Sequence, residues 1–236
     1  MLAEGAFQLP APTHQAQEQP GQSAYAALTI GMIHWRPSTE PECRMGKPRH
    51  TLKTLRAIAL EHAGVARPDL ASMARELGQV VHQDASALAT RFSRLRRQGA
   101  DLERWMLTQR SKPPVSVMVM AWPPNYCTPV HDHAGLWGLE LTLVGALEVQ
   151  SWSRDPASGD LRALGRDWLG PADGTWFEGD QNHVHRCRNL SGHDMALTLH
   201  VYGGELSRYH TYEQVAPTAG WTSRVQQGAL AGHLRF

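Results

Sequence analysis

Apolar and polar positions along this chain follow two different periods. Leu52, Leu55, Ala59 and Ala63 recur at helical spacing after His50 and Thr51, and Gly64 closes the run. Pro68 and Asp69 open a second helical stretch in which Leu70, Met73, Leu77 and Val80 keep one face; Leu88, Phe92 and Leu95 mark a third. Asp101 to about Gln109 reads as a fourth, shorter segment of this helical head. Beyond Pro113-Pro114 the period drops to two. Val115, Val117 and Val119 alternate with Ser116, Met118 and Met120, and Trp122 ends the run. Leu139 to Trp152 is β-rich and broken at Gly145, and the residues from Asp155 to Asp160 form a strong turn signal. Thr175 to Glu178, Val184 to Asn189 and Met195 to Tyr202 are further strand candidates. Short strands separated by Gly, Pro and Asp predict a mainly β fold, a small antiparallel barrel or sandwich with N-terminal helices.

This pattern divides the chain into three parts. Residues 1–50 are expected to be a mobile leader and irregular segment. The first 24 are rich in Gln, Pro and Ala, and Pro37, Pro41, Gly46 and Pro48 break up the chain after the apolar stretch Tyr25 to Trp35. Residues 51–110 form the helical part and residues 111–236 the barrel and tail, with little pattern after about Tyr212.

Charge narrows the function. Lys plus Arg is 23 and Asp plus Glu is 22, a net charge of +1 that argues against nucleic acid as a partner. The cluster Arg91, Arg94, Arg96 and Arg97 reads as a solvated helix face. No apolar run approaches the roughly 20 residues of a membrane span, and the N-terminus does not read as a secretory signal. Cys43, Cys127 and Cys187 are too few for a disulfide framework or a Cys-rich zinc site, so a cytoplasmic location is expected. Cys127 and Cys187 read as buried structural thiols, and Trp122, Trp137, Trp152 and Trp176 as core or pocket walls.

The 13 histidines carry the chemistry. On a strand, His131 and His133 of His131-Asp132-His133 face the same side and can reach one metal ion, with Asp132 turned away to orient the segment. His183, His185 and His200 lie on two later strands that a closed barrel can bring alongside. His183 and His185 share a face, so alternation leaves the third ligand open between them.

The run from Trp122 through Cys127 to His131-Asp132-His133 resembles the first metal motif of the thiol dioxygenases, a cupin family typified by cysteine dioxygenase. Gly138 to Leu147 resembles the family's next strand and turn. His185-Arg186, followed after fifteen residues by His200 within Thr198-Leu199-His200-Val201-Tyr202, resembles its second half. The resemblance covers about residues 100–205. It implies an antiparallel cupin (jelly-roll) barrel holding iron, Fe(2+), on His131, His133 and His185, the step to His200 favouring His185 over His183. It further implies a catalytic relay of Thr198, His200 and Tyr202, and a substrate-binding Arg104, with Arg110 and Gln109 as competitors for that place. The implied reaction joins a small thiol substrate with O2 to give a sulfinic acid. Cysteine is the leading thiol, with 3-mercaptopropionate or mercaptosuccinate as alternatives.

Two departures from the family pattern are visible. Mammalian cysteine dioxygenases have a Cys five residues after the second metal histidine, crosslinked to the active-site Tyr; Gly138 stands there, so Tyr202 is expected unmodified and the pocket wider. The usual cupin glutamate is replaced by Trp137 and Gly138. Glu140 shares the face of Gly138, but its spacing is long for the family and it reads as structural, leaving an all-histidine site. The rival readings are a cupin oxygenase for another small molecule and a non-catalytic metal-binding or sensing cupin.

Overall fold

The computed structural model describes residues 48–65, 67–91, 101–214 and 220–234. The expected leader up to residue 47, with Cys43, and the basic residues Arg94, Arg96 and Arg97 lie outside them. Among the described residues two helices come first, α1 (Pro48–His62) and α2 (Leu70–Arg91). α2 carries the second helical pattern of the sequence and the first residue of the third, Leu88, whose other members Phe92 and Leu95 lie outside the described residues; it kinks at Asp84, whose carboxylate accepts a 2.7 Å hydrogen bond from Thr51 Oγ1 of α1. Asp69 caps α2 through the Ser72 amide. Arg110 donates to the carbonyls of Leu60 and Ala63, satisfying the open end of α1.

Among the described residues twelve strands come after the helices: β1 (Glu103–Ser111), β2 (Pro114–Trp122), β3 (Val130–His131), β4 (Trp137–Val144), β5 (Leu147–Arg154), β6 (Leu161–Leu169), β7 (Gly174–Glu178), β8 (His183–Asn189), β9 (Ala196–Tyr202), β10 (Arg208–Gln214), β11 (Trp221–Gln227) and β12 (Gly232–His233). They form two six-stranded sheets, β12-β1-β2-β9-β4-β7 and β11-β10-β3-β8-β5-β6. Pairing is antiparallel except between β1 and β12.

Alternation decides what each face of the first sheet meets. Val115, Val117, Val119, Leu139, Leu141, Leu197, Leu199 and Val201 point outward, and Leu52, Leu55, Met73 and Leu77 of the helices cover them. Met118, Met120, Trp122 and Tyr202 point inward, toward Leu147, Val149 and Cys187 of the second sheet. Burial on both faces explains why β2 is buried almost throughout.

Two sequence expectations need correction. The segment from Asp101 to Gln109 is not helical: Glu103–Ser111 is strand β1, so the sheet begins inside the part expected to be helical. Met106 and Leu107 alternate into opposite cores, but a register shift between Met106 and Thr108 reverses the parity beyond them and spoils the two-residue period. The chain beyond Tyr212 is not patternless, since Arg208–Gln214 pairs with Trp221–Gln227. Trp176 is not in the core: it is 43% exposed on the edge strand β7, where it lines a surface cleft with Trp168, the other of its two expected places.

Candidate metal centre

Pairing of β3 with β8 sets His131 directly opposite His185. The chain then turns through Ala134 and Gly135, both at positive φ, and the Leu136 amide bonds back to the His133 carbonyl at 3.0 Å. The turn brings the His133 ring beside the other two, with ring centroids 4.6 Å from His185 and 5.2 Å from His131. One ligand nitrogen from each of the three lies within 4.8 Å of the others. His183 stacks on Phe177, with centroids 5.3 Å apart, and stands outside this group.

The electrostatics suit a cation. Burial drives the His185 imidazole down to about 3 and, with the neighbouring rings, holds His133 well below its ordinary value; burial also lowers His131. Neutral imidazoles are metal ligands. His131 Nδ1 sits 3.0 Å from the Pro129 carbonyl, an acceptor that fixes the proton there and leaves Nε2 free. Both ring nitrogens of His133, and Nδ1 of His185, are buried without a hydrogen-bond partner. Unpartnered buried nitrogens are costly, and a shared metal ion would satisfy a ligand nitrogen on each ring, so the donor set fits one.

Asp132 faces away from the cluster. Its Oδ1 accepts from the amides of Ala134 and His210, and its Oδ2 from Tyr212 Oη at 2.8 Å and His210 Nδ1 at 3.0 Å. These bonds tie the segment carrying His131 and His133 to β10.

Thr198, His200 and Tyr202 share the inward face of β9 as alternation requires. Trp122 Nε1 donates to Thr198 Oγ1 at 2.8 Å; Thr198 Oγ1 lies 2.7 Å from His200 Nε2, and His200 Nδ1 lies 2.8 Å from Tyr202 Oη. With the threonine hydrogen donated to Nε2, the imidazole proton sits on Nδ1 facing Tyr202 Oη. The phenolic hydrogen is then free for the cavity. Burial and the Glu140 carboxylate push the Tyr202 pKa well above 10, so the phenol keeps that hydrogen at neutral pH.

Arg104 of β1 lines a small cavity together with His131, His200 and Tyr202. Its guanidinium is held by Tyr209, through a 3.2 Å hydrogen bond to Oη and a position 5.4 Å from the ring centre. Its competitors are engaged elsewhere: Arg110 on the end of α1, Gln109 with Glu205 at the exposed end of β1.

Glu140 points into the same interior. It is 2% exposed, and its Oε1 lies 3.4 Å from His185 Nε2, 3.8 Å from His133 Nε2 and 3.4 Å from His200 Nδ1. The signal that places it is the register. Glu140 stands opposite His200, as Gly138 stands opposite Tyr202 and Thr142 opposite Thr198, and opposed residues share a face. Cys187 is buried beside it, Sγ 3.5 Å from Glu140 Oε2, whereas Cys127 is exposed rather than buried.

The family model described as cysteine dioxygenase type I matches residues 74–215, which include β1 to β10, the three histidines and the relay. The chain belongs to the cysteine dioxygenase type I family. Its architecture is accordingly that of a cupin with N-terminal helices. Among solved structures it is similar to the Cnp3 cupin domain of Schizosaccharomyces pombe (12% identity over 44% of this chain and 61% of that one, TM-score 0.35). It is also similar to an oxalate oxidase in complex with glycolate (13%, 45% and 53%, TM-score 0.36) and to TT1209 from Thermus thermophilus (21%, 47% and 91%, TM-score 0.35). The chain thus spans about half to three-fifths of the first two.

Within this cysteine dioxygenase family, Gly138 has a physical reason. A Cβ at Gly138 would run into the Phe177 ring and stand 2.9 Å from Cδ1 of Tyr202. The space released by the missing side chain is therefore filled by Phe177, and the wider pocket expected at this position is not found.

Proposed function

We propose that this protein is a non-haem iron thiol dioxygenase that oxidises a small thiol carboxylate, cysteine first among the candidates, to its sulfinic acid. The observation that carries the reading is one small cavity lined by Arg104, His131, His200 and Tyr202, with His133 and His185 adjoining. His131, His133 and His185 would hold the Fe(2+), which when bound supplies open positions where a thiol and dioxygen meet. In the overall reaction both oxygen atoms of O2 end on the substrate sulfur.

The protein's own residues bind and orient. Arg104 takes the substrate carboxylate through a charge-assisted fork and so fixes where the sulfur lies. Tyr202 presents its hydroxyl hydrogen to the charge that develops on oxygen, and His200 with Thr198 holds that hydroxyl in place. Leu102, Met120, Trp122 and Leu206 line the rest of the cavity and limit water. Few, scattered cysteines favour work in the reducing cytoplasm.

The test is oxygen uptake by anaerobically iron-loaded protein with cysteine, 3-mercaptopropionate, mercaptosuccinate and cysteamine, with sulfinate quantified. Uptake matched by sulfinate from one thiol is expected. Full iron occupancy with no uptake from any of them would overturn the reading in favour of another oxygenase substrate or a sensing cupin.

A further inference from the structure

Resting on the thiol carboxylate reading above, we propose that Tyr209 is a positioning residue. It clamps Arg104 at a fixed place relative to the three histidines and so sets which length of thiol carboxylate the site accepts. Strand β10 puts it there. Thr211 stands opposite His131, and Tyr209, two residues earlier, shares that inward face. His210 and Tyr212 point to the other side, where they hold Asp132. The Tyr209 ring therefore lies against His131, with centroids 5.8 Å apart. Its hydroxyl oxygen accepts from Arg104 Nη2 at 3.2 Å, and the guanidinium carbon sits 5.4 Å from the same ring centre. One side chain touches both the carboxylate anchor and one of the three histidines.

Arg104 is held but not neutralised. Arg166 and Arg224 pair with Glu148 and Glu213, whereas among the described residues Arg104 pairs with no carboxylate. Its Nε is buried with no hydrogen-bond partner. On another side the turn between β11 and β12 closes in. A Cβ at Gly228 would stand 3.2 Å from Arg104 Nη1, and the Ala231 amide donates to the Arg104 carbonyl. A guanidinium has five N–H donors, and the one spent on Tyr209 leaves others for an anion. With the sulfur at the histidines and the carboxylate on Arg104, the separation of the two anchors selects the carbon chain that joins those groups. An arginine freed from Tyr209 follows the carboxylate on its flexible stem, and the selection is relaxed.

Anaerobic calorimetry on iron-loaded protein tests this without turnover. The probes are mercaptoacetate, 3-mercaptopropionate and 4-mercaptobutyrate, with cysteamine as a thiol that has no carboxylate. Wild type is expected to bind one of the three acids more tightly than the other two. Tyr209→Phe is expected to weaken that acid by about 10-fold, to bring the three affinities together, and to leave cysteamine affinity and iron content unchanged. Added to Arg104→Ala it should cause no further loss, because it acts through the arginine. An unchanged length profile, an equal loss for cysteamine, or losses that add in the double variant would overturn the proposal. Failure of the underlying reading looks different: wild type binds the three acids no better than cysteamine. Should Tyr209→Phe not fold, an anaerobic crystal structure of wild type with 3-mercaptopropionate decides. A carboxylate on Arg104 with the Tyr209 bond kept supports the assignment, and Arg104 turned away from Tyr209 overturns it.

Discussion

Asp132 is the bond between the metal-ligand segment and the scaffold, and its removal has a calculable effect. The carboxylate is 6% exposed and accepts four hydrogen bonds, two from amides and two from the side chains of Tyr212 and His210. In Asp132→Asn the remaining oxygen keeps both amide bonds without the charge, and the new amide faces Tyr212, whose hydroxyl can rotate to accept. His210, 46% exposed, turns to water. Charged acceptors contribute roughly 1 kcal/mol more per bond than neutral ones, so the loss is about 2 kcal/mol, and about 4 kcal/mol for Asp132→Ala, which strands buried donors. For a protein of this size 2 kcal/mol lowers Tm by roughly 4–8 °C. Since the same bonds hold His131 and His133, Co(II) affinity should also fall, by about 10–100-fold. The assays are thermal unfolding of the apo-protein by circular dichroism and metal competition against a chelator. Asp132→Asn with wild-type Tm and wild-type affinity would refute the claim that these four bonds position the ligands.

Other substitutions separate the proposed roles. Arg104→Ala should raise KM for a thiol carboxylate by about 10–100-fold through loss of charge-assisted bonds, leaving metal content unchanged; steady-state kinetics with an unchanged KM would remove Arg104 from recognition. Tyr202→Phe keeps the ring and loses the hydroxyl, so kcat should fall by about 100–1000-fold at full metal occupancy, whereas wild-type kcat would reduce the relay to packing. Gly138→Ala places a methyl against Phe177 and Tyr202; a loss of about 1–3 kcal/mol in chemical denaturation is expected, together with reduced kcat as the Tyr202 ring is displaced.

Much of the barrel is legible in alternation because its strands separate two buried environments. β2 and β9 place one set of side chains under the helices and the other in the interior, so the sequence alone displays Thr198, His200 and Tyr202 as one face. β6 and β11 give no such signal: both are exposed almost throughout, and a strand wet on both faces has no apolar period to detect. β1 escapes for a different reason, the register shift at Met106 to Thr108. At the centre itself, alternation along one strand does not divide His183 from His185, because the choice depends on which lies opposite His131. Strand parity, which places Glu140 on the face of Gly138, is what tells that its side chain points into the interior, where it stands opposite His200.

The position of the centre follows from the architecture. Arg104, Glu140 and the relay come from the first sheet, on β1, β4 and β9; His131, His185 and Cys187 come from the second, on β3 and β8. Part of the interior between the sheets is apolar, with Met106, Met118 and Met120 facing Leu147 and Val149, and can hold them together by burial alone. The remaining part is lined by imidazoles, a carboxylate and a phenol, which supply no comparable driving force and leave nitrogens of His133 and His185 unpartnered. Such groups are kept inside a core only where something they bind completes them. A cation held by both sheets would join them at the place where apolar packing is weakest. On the proposed reading, metal uptake should therefore act on stability as well as on chemistry, because two of the three proposed ligand rings, His133 and His185, carry nitrogens the fold leaves unsatisfied.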